Sequence, residues 1–410
     1  MQKFVLSLVI SFLICSHTAA LEVSPTAKEA VKTIRELRAI GIPAFEDGYI
    51  KGGPPPRVPG LLRQLNKQLK DLIIETLNDA SRNSIANADE ILEKLRAAGW
   101  DEIPDHKWNA YGEIIRINFE WPLENHPGIL IVSTQLWIPC GSYDPDAAIY
   151  VLQGKARDWK LLIATDADFA NATGPLDGEI EYKVSPPDPN GAWYLAIATS
   201  PPSCHSPAES ARFKVLRVGQ SPEEPKTLLV RREVVDQEFD PPFRLRAEAD
   251  WMAITRGKNR KLDGDRGVAI SRYEVAEGSV TRIQPLALTP EDFLDEWVQI
   301  DWNEAIRWSN ESSQAGLREW HSRLNGLARD SAEFEGIYSC ANQNKTDETW
   351  LVKLTVDRQV NPSFAEESLN ITLTRRNGDY FVEAINRSRP AGCSNEAIHR
   401  PPIELKLPEW

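Results

Sequence analysis

The chain has 410 residues, a formal charge of −13, and 41% hydrophobic against 26% charged side chains. That length buries cores in two or three domains without structural metals. The acidic balance repels phosphate backbones and anionic bilayers, so nucleic acid and membrane surfaces are excluded as expected partners.

The chain opens on Met1-Gln2-Lys3, an apolar run from Phe4 to Ile14 broken only by Ser7 and Ser11, and Thr18-Ala19-Ala20. A short basic start, an apolar middle and small residues at the cut mark a secretory signal peptide over residues 1–20. The run is about half of the ~20 residues that span a bilayer, so no stable membrane anchor is expected. Ile14, before Cys15, is too large for a lipoprotein cleavage site. The expected location is secreted or periplasmic.

Residues 21–105 read as a helical segment. Thr26 followed by Glu29 is a capping box, with Val31, Ile34, Leu37 and Ile40 at helical spacing behind it. Leu61, Leu62, Leu65, Leu69, Leu72, Ile73 and Leu77 make one apolar stripe. Asn87 with Glu90 caps a third helix, which stops at Gly99.

Residues 106–288 read as an antiparallel β domain. Predicted strands include Glu113–Phe119, Ile129–Ile138, Ile149–Gln153 and Lys160–Thr165, separated by Pro, Gly, Asp and Asn clusters. Trp159–Thr165 echoes Trp193–Thr199 at five of seven positions. A looser echo pairs two hairpins: Phe213–Gly219 with Thr227–Arg231, and Ser271–Val275 with Val280–Ile283. Each follows two further strands, which predicts repeated four-strand units, either propeller-like or sandwich-like. The fold class expected is therefore mainly β with α.

Residues 289–332 read as a helical connector, opened by Thr289-Pro290-Glu291-Asp292. Residues 333–410 read as a small β-rich domain, with Asn377-Gly378 a hairpin turn. Without Cys15, four cysteines are left: Cys140, Cys204, Cys340 and Cys393. An even number in an oxidising compartment points to two disulfides with three possible connectivities, of which Cys140–Cys204 with Cys340–Cys393 is preferred because each pair then lies inside one domain. No C-x-x-C pair offers a zinc site.

Catalytic signatures are absent: no G-x-S-x-G, H-E-x-x-H, P-loop or G-x-G-x-x-G motif occurs, and no cofactor is expected. Asp166 and Asp168, two residues apart after a strand, are the candidate catalytic carboxylates of a polymer hydrolase. Asp263 and Asp265, in an oxygen-rich turn, are the candidate calcium ligands. Of 13 tryptophans, Trp159, Trp193, Trp251, Trp297 and Trp320 read as core, whereas Trp108, Trp121 and Trp137 are candidates for stacking a ligand. The function expected is a non-catalytic extracellular or periplasmic binding module, with a carbohydrate or another extracellular protein as partner. The alternative is a hydrolase of an extracellular polymer such as a polysaccharide.

Overall fold

A computed structural model describes residues 23–40, 45–46, 49–50, 54–79, 86–102, 110–120, 126, 128–138, 144–155, 157–165, 180–200, 208–219, 225–236, 239, 241–287, 289–328, 331–341, 347–356 and 367–398. Three helices come first: α1 (Pro25–Arg38), α2 (Val58–Leu77) and α3 (Ala88–Ala97), with a two-residue hairpin, β1 (Phe45–Glu46) and β2 (Tyr49–Ile50), between α1 and α2. The apolar stripe of α2 is buried along its length, from Leu61 to Leu77. Asn87 and Glu90 form the capping box of α3, each accepting from the other's backbone N–H. The start of α1 lies two residues earlier than its spacing suggests. Ser24 Oγ accepts from Ala27 N at 3.2 Å, and Pro25 fills the first turn. Proline's fixed φ and missing N–H suit that position better than a cap at Thr26 would.

Four sheets of four antiparallel strands follow among the described residues, each a simple up-and-down meander. Sheet A is β3 (Ile114–Glu120), β4 (Ile129–Ile138), β5 (Asp144–Lys155) and β6 (Asp158–Ala164). Sheet B is β7 (Ile180–Val184), β8 (Trp193–Thr199), β9 (Ala208–Val218) and β10 (Lys226–Asp236). Sheet C is β11 (Phe243–Ala247), β12 (Trp251–Asn259), β13 (Arg266–Val275) and β14 (Val280–Ala287). Helices α4 (Pro290–Gln299), α5 (Trp302–Ala305) and α6 (Gln314–Asn325) precede sheet D: β15 (Ala332–Cys340), β16 (Glu348–Val356), β17 (Glu367–Arg376) and β18 (Asp379–Asn386). The repeated four-strand unit is thus present, and it extends into the C-terminal region.

The looser sequence echo marks equivalent strands: β9–β10 and β13–β14 are the third and fourth of their sheets. The closer echo does not. Trp159–Thr165 lies on β6, fourth in sheet A, and Trp193–Thr199 is β8, second in sheet B. Every residue of β8 is buried, whereas β6 exposes Asp158, Lys160 and Leu161. Similar apolar composition, arising from different burial, produced the match.

Core clusters join neighbours in a row. Strand alternation gives sheet A two apolar faces. Leu130, Val132, Leu136 and Tyr150 meet α1–α3, and Ile129, Ile131, Ile149 and Val151 meet Trp193, Leu195 and Ile197 of sheet B. The opposite face of sheet B, with Tyr194, Ala196 and Phe213, packs on Phe243, Met252, Ile254 and Tyr273 of sheet C. Phe293, Trp297 and Leu324 of the second helical group share a core with Val352, Ile371 and Val382 of sheet D. Each such side chain contributes about 1.5–3 kcal/mol of burial.

Local turn chemistry follows the residues. Asn377 and Gly378 both take positive φ, 53° and 91°, as a type I′ hairpin between β17 and β18 requires. Thr289 accepts from Asp292 N, with Pro290 in the first turn of α4. Cys340 and Cys393 are disulfide-bonded. Cys140, Cys204 and the expected signal peptide lie outside the described residues. No helix among the described residues is long and apolar enough to cross a membrane.

Candidate functional site

Of the residues singled out in the sequence, Asp166, Asp168, Trp108 and Trp121 lie outside the described residues. Trp137 is half-buried near the end of β4, on the strand face that Ile129 and Ile131 share. Asp263 and Asp265 sit in the β12–β13 hairpin, where Arg260 serves both. Its guanidinium reaches Asp263 Oδ2 at 3.0 Å and Asp265 Oδ2 at 3.5 Å. Asp263 Oδ1 also accepts from Asp265 N at 3.0 Å, an Asx turn. The carboxylates that suggested calcium therefore hold an arginine and shape the turn. Among the described residues no group of three or more acidic, His or Cys side chains is placed to hold a metal ion.

A larger charged cluster lies where α4 crosses sheet C. Lys258 Nζ donates to Asp295 Oδ2 at 2.5 Å. Asp295 Oδ1 accepts from the backbone N–H groups of Lys261 at 2.7 Å and Leu262 at 3.1 Å. Glu296 is met by Arg282, by Lys258 at 3.6 Å and by Arg256 at 3.7 Å. Arg256 also bridges to Glu233 of β10 at 2.9 Å, so the network spans sheet B, sheet C and α4. Burial pushes the Glu296 carboxyl up, but Arg282, Lys258 and Arg256 outweigh it and hold the group well below the usual carboxylate range. Burial dominates at Asp292 and raises its carboxyl despite Arg260 and Lys258. Glu296 and Asp295 are saturated by cations and amides of their own fold. The cluster clamps α4 to the sheets.

The opposite face of sheet C carries a different pattern, set by register. Met252 and Ile254 turn toward sheet B, so Trp251, Ala253 and Thr255 take the other side. The pairing places Arg246, Ala253 and Arg272 in one cross-strand row, with Arg244 beside Thr255 in the next. On the other flank Glu274 stands opposite Trp251. Both guanidiniums of the central row lie over the Trp251 ring, Arg272 at 4.4 Å and Arg246 at 5.0 Å from its centre. Arg246 is ion-paired to Glu248 at 3.1 Å. Among the described residues Arg272 has no carboxylate within ion-pair distance, and the enclosed Nε atoms of Arg244 and Arg272 have no acceptor. Burial raises the Glu181 carboxyl, which Arg244, Lys183 and the Leu245 backbone N–H partly offset. Phe239 covers the far end of this face, against Val268 and Ile270.

Trp251 thus departs from the core role expected of it. Its ring is half-buried under arginines, unlike Trp159, Trp193 and Trp297, which are buried in apolar clusters. The signal in the sequence was the alternation Arg244-x-Arg246 with Trp251 and Arg272. It becomes visible only once the strands are paired.

No protein-family model matches the chain. No curated protein matches it either. Among solved structures, a mutant alpha-L-arabinofuranosidase from Fusarium graminearum, in complex with an iminosugar inhibitor, is similar over 68% of this chain and 71% of its own, at 10% identity and a TM-score of 0.25. An exo-beta-1,3-galactanase from Clostridium thermocellum is similar over 65% of this chain, at 10% identity and a TM-score of 0.22. The chain spans about half of the galactanase, 49% of its length.

Proposed function

We propose that this is a secreted or periplasmic binding module without catalytic activity, and that its ligand is a carbohydrate. The observation that carries the reading is the Arg244, Arg246, Trp251 and Arg272 face. It gathers guanidinium donors around an aromatic ring on the side of sheet C away from sheet B. The buried carboxylates support the same reading. Glycoside hydrolysis needs one carboxyl held protonated beside a second that is ionised. The clustered acids Asp295 and Glu296 instead neutralise Lys258, Arg256 and Arg282.

A panel of immobilised extracellular glycans, incubated with the intact protein, tests the proposal. Saturable binding without release of reducing ends is the expected result. Slow depolymerisation abolished by Asp166→Asn would replace the proposal with the hydrolase reading. Absence of both binding and turnover would leave a structural envelope role.

A further inference from the structure

We propose that residues 388–398 form a redox-latched strap. The Cys340–Cys393 bridge holds this segment against the free edge of sheet D, and reduction of the bridge releases it and opens that edge.

β15 is the outer strand of sheet D, with β16 on one side only. The outer side of such a strand presents a row of N–H and C=O groups that any extended chain can pair with. Here the chain covers its own edge. Just beyond β18, Arg387 is still fixed to β17: its guanidinium meets Glu367, and its carbonyl accepts from Asn370 Nδ2 at 3.1 Å. The chain then crosses to the opposite edge of the sheet and runs antiparallel to β15, with Cys393 facing Cys340. Ala341 N donates to Gly392 O at 2.9 Å, Ser394 N to Ser339 O at 2.8 Å, and Ile398 N to Ile337 O at 2.7 Å. A turn interrupts the pairing, in which Ser394 Oγ accepts from Glu396 N at 3.1 Å.

Packing adds little to this seat. Within residues 388–398 only Pro390 and Cys393 are half-buried, and the apolar side chains of Ala391, Ala397 and Ile398 are exposed. Arg389 lies over the Tyr338 ring at 4.3 Å, an exposed contact of modest strength. Fixing the backbone of one residue costs as much as one hydrogen bond contributes, or more. Three bonds therefore do not hold a segment of this length, and the covalent bond decides whether it stays seated. That bond is within reach of a reductant. Both cysteines are half-buried, and Ser339, Ala341, Gly392 and Ser394 around them are exposed. A thiolate of a dithiol donor attacks one sulfur, the S–S bond breaks, and the other sulfur leaves as a thiolate and takes a proton. The donor's second thiol resolves the mixed disulfide, so the protein gains two thiols and the donor is oxidised to its own disulfide. The opening is local. The core that joins Val352, Leu354, Ile371 and Val382 to Phe293 and Trp297 includes no residue of the strap. What becomes free to pair with another strand is the edge itself: the carbonyls of Ile337 and Ser339 and the N–H of Ala341.

The test follows residue-resolved amide exchange of the full chain under native conditions, before and after treatment with dithiothreitol. Mass-spectrometric thiol mapping establishes that Cys340 and Cys393 are the cysteines reduced. The amides of Ala341, Ser394 and Ile398 should exchange at least about tenfold faster after reduction. Those of β16–β18 should stay far slower than the strap, and reoxidation should restore the original rates. Cys393→Ser without reductant should reproduce the reduced pattern. Unchanged exchange at Ala341, Ser394 and Ile398 after complete reduction overturns the latch, because pairing alone would then hold the strap. Loss of protection in β16–β18 to the level of the strap overturns it too, because the bridge would then be a staple of the whole sheet. Thiols that appear only in denaturant also overturn it, because the bridge would then be closed to a reductant in the folded protein.

Discussion

Lys258 on β12 and Asp295 on α4 meet at 2.5 Å with side chains only 4% and 0% exposed. A pair so enclosed is costly to break, because the remaining charge is left in a medium that solvates it poorly. Asp295→Ala should destabilise the protein by about 3–5 kcal/mol. Lys258→Met should also destabilise it, with Asp295 still held by the amides of Lys261 and Leu262. Chemical denaturation of both single variants and the double variant closes a thermodynamic cycle. A coupling energy above about 1 kcal/mol is expected, and a coupling near zero would show that the contact is not formed in solution.

Glu296 sets an acid limit on stability. Burial raises its carboxyl, but Arg282, Lys258 and Arg256 lower it further, so its folded value lies below the unfolded one. A depressed carboxyl contributes stability that is present above the unfolded value of about 4.3 and is lost as pH falls through the folded value. Denaturation midpoints should therefore fall below about pH 4. Glu296→Gln should be less stable at neutral pH and flatter across that acid range. An identical acid slope in the variant would contradict the arrangement.

His321 points to a second pH dependence. Its Nε2 lies 3.1 Å from Trp297 O and 3.0 Å from Ile300 O, which makes it the protonated nitrogen of a neutral ring. The ring also packs edge-on against Trp297 and Trp302. Burial lowers its affinity for a second proton, outweighing the two carbonyls and Asp301. The contribution is complete above the unfolded value of about 6.5 and is lost as pH falls below it. His321→Phe should cost about 1–3 kcal/mol at pH 8 by leaving the carbonyls without their donor. The variant should also lose the slope that wild type shows between about pH 5 and 7.

The Cys340–Cys393 bridge closes a span of 53 residues across sheet D. Replacing both cysteines by alanine should cost about 4 kcal/mol in the chain-entropy model. Hydrogen exchange should show the loss concentrated in β15–β18 and the helices packed on them, since Val352, Ile371, Trp297 and Phe293 share one core. Uniform loss of protection across sheets A and B would contradict that cooperativity.

Gly257 on β12 lies against Phe239. A Cβ there would stand 2.2 Å from the ring, far inside contact distance. Gly257→Ala should destabilise by about 1–3 kcal/mol through overpacking. The double variant Gly257→Ala with Phe239→Leu should recover part of the melting temperature. No recovery would place the strain elsewhere.

Elements that depend on neighbours along the chain were legible from residues alone. The α3 capping box, the Thr289-Pro290 start of α4 and the Asn377-Gly378 turn each involve groups within four residues of one another. The β4 strand was read with its observed bounds, because alternating burial and flanking turn residues mark it locally. The start of α1 was displaced because a plausible cap at Thr26 competes with Ser24 two residues away, and only the observed hydrogen bond separates them.

The sites are a different matter. Arg256 and Glu233 are 23 residues apart, Lys258 and Asp295 are 37 apart, and nothing local ties either pair together. Arg246, Ala253 and Arg272 become a row only through the register of β11, β12 and β13, and a slip of one residue in any of these strands would turn its member of the row to the other face. By itself the sequence determined a mainly β chain with helical segments and the four-strand repeat, while the pairing of Cys340 with Cys393, one of three connectivities it left open, was fixed by the structure. Tertiary structure decided that the carboxylates of α4 are clamped by cations of sheet C, and that Trp251 lies under arginines instead of in a core. The physical reason is that charge partners and face assignments are set by which strands pair, and pairing carries no signature in neighbouring residues.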